Sequence, residues 1–273
     1  MFVQRRSRNL LEAAFRTGGL IYHQAVFNLR QTHANAVIGL VLTMIQSSMM
    51  ILMFMAMYWV IGVRSSPIRG DFILFIMSGI FVFMTFNQAM ARISGSGKST
   101  SALMKHGPMN TAIAMCGAGL AALYNSVLSA LVLLGLYHTM VNPVHLENWR
   151  GALAMLVLGW FLGCCLGLIM VSVTAWFPEV GRLLSPLIRR VNMVASGKMF
   201  AANMMPSHLL AMFDWNPLFH IIDQARGYAF INYNPRNSSL EYPIYVTLAL
   251  IMVGLVGEFH ARKNASISWT AGR

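Results

Sequence analysis

The chain has 273 residues, of which 57% are hydrophobic and 10% are charged, and its formal net charge is +12. This composition excludes an ordinary soluble domain, because several uncharged runs exceed the roughly 20 residues with which a helix crosses about 30 Å of hydrocarbon. It also argues against nucleic-acid binding, since no soluble face is available to carry the basic residues. The sequence predicts an all-α, polytopic membrane protein with six transmembrane helices.

The segment 1–36 is polar and basic, and it lacks the apolar core and small-residue cleavage site of a signal peptide. Apolar and small residues recur along it at helical spacing: Leu11, Phe15, Gly18, Tyr22, Val26 and Leu29. The pattern predicts a cytoplasmic amphipathic helix in the membrane interface, divided at Gly18-Gly19, with its basic residues held by anionic headgroups. A plain surface anchor and a contact with a partner protein are equally good interpretations.

The rest of the chain predicts six membrane spans, at about 37–62, 72–92, 110–137, 151–176, 183–205 and 243–260. The first four are built on runs without Asp, Glu, Lys or Arg. The fifth is the weakest, because Arg189, Arg190 and Lys198 interrupt it. The membrane domain is thus predicted at 37–262, followed by a cytoplasmic tail at 263–273.

The basic residues also predict the orientation of these spans. With a cytoplasmic N-terminus, most of the 20 Lys and Arg residues fall on the cytoplasmic side, as the positive-inside rule requires. The exceptions are Arg64, Arg69, Arg150, Lys198, Arg226 and Arg236. Both termini are therefore expected in the cytoplasm.

A cytoplasmic loop at about 93–109 joins the second and third spans. Its sequence Gly95-Ser-Gly-Lys-Ser-Thr100 resembles part of a phosphate-binding loop, but that motif needs Gly at the position of Arg92 and a preceding strand rather than a membrane helix. We therefore reject a nucleotide site on this chain. The segment Ser101 to His106 predicts a brief helix along the membrane surface, of the kind that seats in a cleft on a peripheral subunit.

Arg189, Arg190 and Lys198 are the best candidates for a polar pathway, because charged side chains that face lipid are costly. On one continuous helix Arg190 and Lys198 would lie about 80° apart and ~12 Å along the axis, so both would face one lumen. It is an equally good interpretation that the two arginines mark the cytoplasmic end of the span. The aromatic residues Tyr58, Trp59 and Trp176 are further pathway candidates, although they also suit an ordinary aromatic belt.

The segment 201–242 is longer than its role as an external loop requires. It predicts two short helices, Leu209 to Phe213 and Leu218 to Tyr228, hinged at Asp214-Trp215-Asn216-Pro217, which dip into the membrane and return. His220 and Asp223 lie i,i+3 on the second helix and predict a local hydrogen-bonded pair rather than catalysts.

No catalytic constellation or metal-ligand spacing is visible in the sequence, so we predict neither enzyme activity nor a metal site. The three cysteines and 22 methionines are interpreted as packing residues.

Three blocks of the sequence share the spacing of a known family. The first is Ile38 to Gly62 with Phe75 to Phe83, and the second is the loop before Pro108. The third combines these residues: Ser196-Gly197, Leu209-Leu210, Trp215-Asn216-Pro217-Leu218, His220 and Arg226. Together the blocks resemble the permease subunit of ABC-type polysaccharide exporters, and within these the capsular polysaccharide branch of the Gram-negative inner membrane.

The resemblance implies a transporter subunit that carries no cofactor, with ATP and Mg bound by a separate ABC ATP-binding subunit. It implies these further partners: a second copy of this chain, periplasmic and outer-membrane export proteins, and a lipid-linked, acidic capsular polysaccharide as cargo. It also implies that the loop before the third span couples to the ATPase, through Ser101, Leu103, Met104, Lys105 and His106. The periplasmic gate that it implies contains Trp215, Asn216, Pro217, His220, Asp223 and Arg226.

Two features depart from the family pattern. Lys198-Met199 stands where the family often has an apolar or aromatic pair, and the coupling loop is rich in Gly and Ser. A permease of the same fold for O-antigen, teichoic acid, a lipid or a drug is the alternative function. A membrane-embedded nucleotidase that uses the Gly95 to Thr100 loop is the alternative from another class.

Overall fold

The computed structural model describes residues 10–31, 36–62, 70–99 and 111–270, and all regular structure within these ranges is helical. The helices are α1 Leu10–Gln31, α2 Ala36–Ile61, α3 Phe72–Ser99, α4 Thr111–Met140, α5 Trp149–Trp176, α6 Pro178–Ala195, a 3₁₀ turn Ala202–Met204, α7 Ser207–Phe213, α8 Pro217–Ala229 and α9 Glu241–Thr270. The predicted all-α class is confirmed for this part of the chain.

Five helices of the described ranges are long and apolar enough to cross a membrane: α2, α3, α4, α5 and α9. The chain is therefore a multi-pass membrane protein. The predicted fifth span, 183–205, is not among the five. The helix in that region, α6, begins at Pro178, contains Pro186 and ends at Ala195, ahead of a turn in which Gly197 adopts φ +63°.

Two helices continue where the sequence predicts a change. The first, α1, runs unbroken through Gly18-Gly19, where a break is predicted. The other, α3, continues to Ser99, so that residues 95–99 are helical and present no phosphate-binding loop. The predicted surface helix from Ser101 to His106 lies outside the described residues.

The centre of the bundle is the pair α3 and α5. The α3 side chains Phe75, Ile80, Phe83 and Phe86 are almost fully buried, although this helix is itself a candidate span. The packing partner α5 carries glycine at every fourth position of a long stretch, at Gly159, Gly163 and Gly167. A Cβ at Gly163 would lie 2.4 Å from the carbonyl oxygen of Phe86. Small residues at this spacing let two membrane helices approach closely, because their backbones make the contact.

A polar cap fixes the end of the bundle at which α3 begins. The Oδ1 atom of Asp71 accepts a hydrogen bond from the Ile73 amide at 3.0 Å, which caps α3. The other carboxylate oxygen accepts from the Tyr137 hydroxyl and, at 3.1 Å, from the Asn142 side-chain amide. The end of α4 is thus tied to the start of α3.

The contact at Gly163 generates the first prediction. Gly163→Ala should lower the apparent melting temperature of the purified chain, because the added methyl overpacks a backbone contact at a cost of about 1–3 kcal/mol. Tryptophan fluorescence during heating in detergent measures this. Gly135→Ala on α4 is the matched control, because a Cβ there meets no atom within 4 Å. Equal melting temperatures for the two variants would contradict the tight α3–α5 contact.

The Asp71 cap generates a pH prediction. Burial alone would raise the pKa of Asp71, but hydrogen bonds from Tyr137, Asn142 and the Ile73 and Leu74 amides outweigh it, so the pKa is lowered. A lowered pKa in the folded state gives stability that is present above the unfolded value of about 3.9 and is lost as pH falls through the folded value.

Acidification below about pH 4 should therefore weaken the wild-type chain more than Asp71→Asn, which lacks the titrating group. Melting curves from pH 6 down to pH 3 compare the two, with Glu147→Gln, an exposed carboxylate, as the control. Parallel curves for wild type and Asp71→Asn would contradict the role of this cap.

Candidate functional site

The helix α8 is inserted lengthwise into the bundle. A Cβ at Gly151, in the first turn of α5, would lie 2.5 Å from the Tyr228 ring. A Cβ at Gly159 would lie 3.8 Å from Ile221 Cγ2. The two glycines are about 12 Å apart along α5, so α8 follows α5 from its first turn toward its middle, with the start of α8 deepest. No residue of α8 is exposed, and nine of its thirteen are buried, including Asp223 and Arg226.

Asn216 anchors the deep end of α8. Its side-chain oxygen accepts from the Leu218 amide at 3.0 Å, and Pro217 follows at the first helical position, so the helix begins with a side-chain cap. Its side-chain nitrogen donates to Asn192 Oδ1 at 3.0 Å and to the Ala195 carbonyl at 2.9 Å. One buried side chain therefore starts α8 and joins it to the last turn of α6.

Arg226 holds the turn that follows α6. Its guanidinium donates to the carbonyl oxygens of Gly197, Lys198 and Phe200, and its side chain is only 1% exposed. The group also lies 4.1 Å from the centre of the Phe75 ring, a cation–π contact. These contacts join α8, α3 and the turn 196–200, which we call the carbonyl turn.

Two glycines make room for this arrangement. A Cβ at Gly79 on α3 would lie 2.8 Å from the Arg226 guanidinium and 2.9 Å from the Lys198 carbonyl oxygen. A Cβ at Gly197 would lie 2.3 Å from the Phe219 ring, and the backbone there has positive φ. The glycine of the Ser196-Gly197 motif thus lets the carbonyl turn pack closely against α8 and face Arg226.

Asp223 organises the non-helical segment after α8, residues 230–240, which we call the return segment. Its carboxylate accepts hydrogen bonds from the Tyr233 hydroxyl and, at 2.7 Å, from the Ser238 hydroxyl. Burial raises the pKa of Tyr233, and the negative charge of Asp223 raises it further, so the phenol remains a donor at physiological pH. Asp223 also attracts Arg226 electrostatically from one turn away, while each binds other groups directly.

His220 bonds to Asp214, and the predicted His220–Asp223 pair is not formed. Its Nδ1 accepts from the Ser239 amide at 3.1 Å, which leaves the proton on Nε2 to donate to the Asp214 carbonyl at 2.8 Å. The prediction was wrong because residues outside α8 supply the partners: Asp214 lies before the helix, and Ser239 lies in the return segment after it.

The predicted pathway residues fall into two groups. Two of them support the carbonyl turn: the Tyr58 hydroxyl donates to the Met199 carbonyl, and Lys198 Nζ donates to the Met193 carbonyl at 2.7 Å while lying 3.5 Å from the Phe83 ring centre. The others lie elsewhere on the surface: Trp59 is 71% exposed, Trp176 is 49% exposed, Arg190 is exposed and Arg189 is half-buried. The shared helical face of Arg190 and Lys198 is not formed, because α6 ends at Ala195.

The other predicted residues lie at the ends of the inserted helix or outside the described ranges. Trp215, at 58% exposed, borders α8, and its carbonyl accepts from the Tyr242 hydroxyl at 2.6 Å. The coupling residues Ser101, Leu103, Met104, Lys105 and His106 are not within the described part of the chain.

Sequence reasoning missed several residues of the site: Phe75, Gly79, Asn192, Tyr233 and Ser238. An isolated Asn192 in a helix next to apolar residues is a usable signal, because a polar side chain at membrane depth needs a partner. Tyr233 and Ser238 give no such signal, since loop residues of their kind are ordinary on a surface.

Comparison with known proteins gives a consistent result. Residues 24–230 match the family described as ABC-2 type transporter. The chain is also 25% identical over 238 residues to the polysialic acid transport protein KpsM of Escherichia coli, which covers 85% of this chain and 88% of that protein. A second Escherichia coli protein of the same name is 25% identical over 205 residues, or 72% of this chain and 76% of that protein.

The Arg226 contacts generate a prediction. Arg226→Lys should destabilise the chain by about 3 kcal/mol, because a lysine keeps the charge but cannot reach three carbonyl oxygens with a planar fork. Thermal melting and limited proteolysis at residues 196–206 measure the effect. Arg236→Lys, at an exposed arginine of the return segment, is the control. Unchanged proteolysis of the carbonyl turn in Arg226→Lys would contradict its role.

Proposed function

The chain belongs to the ABC-2 type transporter family, and from that membership we propose that it is the permease subunit of an ATP-driven exporter. Its cargo is a lipid-linked, acidic polysaccharide of the capsular type, moved across a bacterial inner membrane. Members of this family work with an ATP-binding subunit and carry no cofactor of their own. Within the described residues there is likewise no cluster of His, Cys, Asp or Glu able to hold a metal ion.

The length of the similarity is the observation that supports a polysaccharide as the cargo. A protein named for polysialic acid transport aligns with 85% of this chain, and the alignment covers 88% of that protein. Polysialic acid is the cargo in that protein's name, and an acidic glycan is the cargo that we propose by analogy.

The faces of α6 support a pathway for an anionic polymer. On a helical projection Arg182, Arg189 and Arg190 lie on one side, and Leu184, Ile188 and Asn192 lie on the side that packs against the bundle. Basic side chains facing a polar lumen would attract the cargo, whereas the same side chains facing lipid would be costly. We therefore propose that the arginine face of α6 borders the pathway, and that Trp59 and Trp176 remain its aromatic candidates.

A third face of α6 supports a dimer. Exposed apolar residues form a stripe along it: Val180, Leu183, Leu187, Val191 and Val194. A second copy of the chain that covers this stripe would place two arginine faces around one channel, with closed two-fold symmetry. Lys198 and Tyr58 then belong to the wall that positions the channel, since both are buried and hydrogen-bonded to the chain's own carbonyls.

The external gate is proposed at α7 and Trp215. No residue of α7 is buried, whereas most residues of α8 are. A short exposed helix beside a firmly anchored one can move without breaking the core, because it has few contacts to lose. In this proposal Asn216, Pro217, His220, Asp223 and Arg226 form the fixed base of the gate. At the other end, Ser101 to His106 follow α3 and seat in the ATP-binding subunit, and periplasmic and outer-membrane export proteins continue the path.

The export assay tests this function. Deleting the gene should leave the acidic glycan inside the cell, and the wild-type chain should restore it to the surface. Replacing Arg182, Arg189 and Arg190 together by Gln should reduce surface glycan at least about tenfold, since each lost pairing with the polymer is worth about 1 kcal/mol or more. Replacing the same three by Lys is the matched control, because the charge remains.

Full export by the triple Gln variant would contradict the arginine pathway while leaving the polysaccharide function intact. Accumulation of a lipid, a drug, O-antigen or teichoic acid instead of an acidic capsular glycan in the deletion strain would contradict the cargo. The two outcomes are separate, because the first concerns the route and the second the molecule carried.

A further inference from the structure

An apolar cavity of about 360 Å³ lies near the end of the bundle at which α3 and α5 begin. Its walls come from four helices and include Phe81 on α3, Leu134 on α4, Leu156 on α5 and Ala225 on α8. The lining is almost wholly apolar. Ser78 is an exception, and its hydroxyl already donates to the Phe75 carbonyl at 2.8 Å.

The cavity exists because two helices share a neighbour without closing on each other. Both α4 and α5 pack along α3, but they scarcely touch one another. The gap between them is bordered by exposed Leu131 on α4 and by exposed Trp149 and Leu153 on α5. Since α4 and α5 are both candidate spans, the mouth of the cavity faces the hydrocarbon of the bilayer.

The dimensions suit one acyl chain of the adjacent leaflet. Along α5 the lining extends from Trp149 to Leu156, about 10 Å, and half of a bilayer's hydrocarbon is about 15 Å thick. Water has too few polar partners in such a space to fill it favourably. An acyl chain finds continuous apolar contact there.

A basic side chain, that of Arg150, lies beside the mouth of the cavity. The guanidinium of Arg150 lies 5.5 Å from the centre of the Trp149 ring, and both side chains are exposed. Their position at the first turn of α5 is the depth at which aromatic and basic residues meet lipid headgroups. A phosphate on a lipid whose chain occupies the cavity would lie within reach of Arg150.

We propose that this cavity binds a glycerophospholipid, with one acyl chain between α4 and α5 and its phosphate paired with Arg150. The acyl chain contacts Ala225 and Ala229 of α8, so the lipid completes the wall against which the inserted helix rests. The site is separate from the arginine face of α6, and it does not depend on which cargo the transporter carries.

Photolabelling of the full chain in native membranes tests the acyl-chain site. The probe is phosphatidylglycerol with a diazirine in one acyl chain, and the readout is label on the peptides that contain residues 149–156. Ala152→Phe should reduce this label about tenfold, because the ring occupies the space of two or more methylenes. Ala130→Phe fills the cavity from α4 and should do the same. Ala249→Phe, on the exposed face of α9, is the control and should label like wild type.

A second arm tests the phosphate. Arg150→Gln should reduce labelling by the phospholipid probe severalfold and leave labelling by a diazirine fatty alcohol unchanged, because the alcohol has no phosphate to lose. Equal labelling of wild type, Ala152→Phe and Ala130→Phe would overturn the acyl-chain site. Equal loss of both probes in Arg150→Gln would overturn the phosphate contact.

Discussion

The burial of one arginine organises the part of this protein that contains α6, the carbonyl turn and α8. A guanidinium that is removed from water inside a membrane protein is costly unless its donors and its charge are satisfied. Arg226 meets most of that requirement with three carbonyl oxygens, the face of Phe75 and the electrostatic attraction of Asp223, while its Nε has no hydrogen-bond partner among the described residues. Because those carbonyls belong to the carbonyl turn after α6, satisfying Arg226 fixes both the end of α6 and the position of α8.

The remaining features of the segment follow from this constraint. Gly197 must have positive φ and no side chain, because Phe219 lies against it, and Asn216 must reach from the cap of α8 to the last turn of α6. Buried backbone that is not helical needs hydrogen-bond partners for its polar groups. Here the covering groups are the side chains of α8, which explains why this short helix is buried on nearly all sides. The neighbouring helix α7 covers no such backbone and remains exposed.

The division between fixed and exposed elements connects the fold to transport. The α3–α5 pair gives a rigid centre, held by backbone contact at the glycines of α5. Against that centre stand α6, with separate basic and apolar faces, and α7, with no buried residue. A carrier of polymers needs a permanent wall and a movable cover, and this distribution of buried contacts supplies both within the function that we propose. The gap between α4 and α5 leaves this wall open at the side, and there the phospholipid that we propose completes it.

The sequence by itself determined the all-α class, the multi-pass membrane character and the importance of the segment 196–226, because long uncharged runs and misplaced prolines and charges report local requirements of the chain. It also indicated α8 and its Asn-Pro start, since capping is a local event. It predicted a fifth span at 183–205, where the structure has α6 ending at Ala195, and it did not indicate the partners that His220, Lys198 and Tyr58 find. These features depend on which elements meet in the fold. Whether a buried cation binds a carbonyl oxygen or faces a lumen is decided by groups that lie far away in the sequence. Only the tertiary structure brings Arg226 to the carbonyl turn and Asp223 to the return segment, because hydrophobic patterns specify that a face is buried but not against which neighbour.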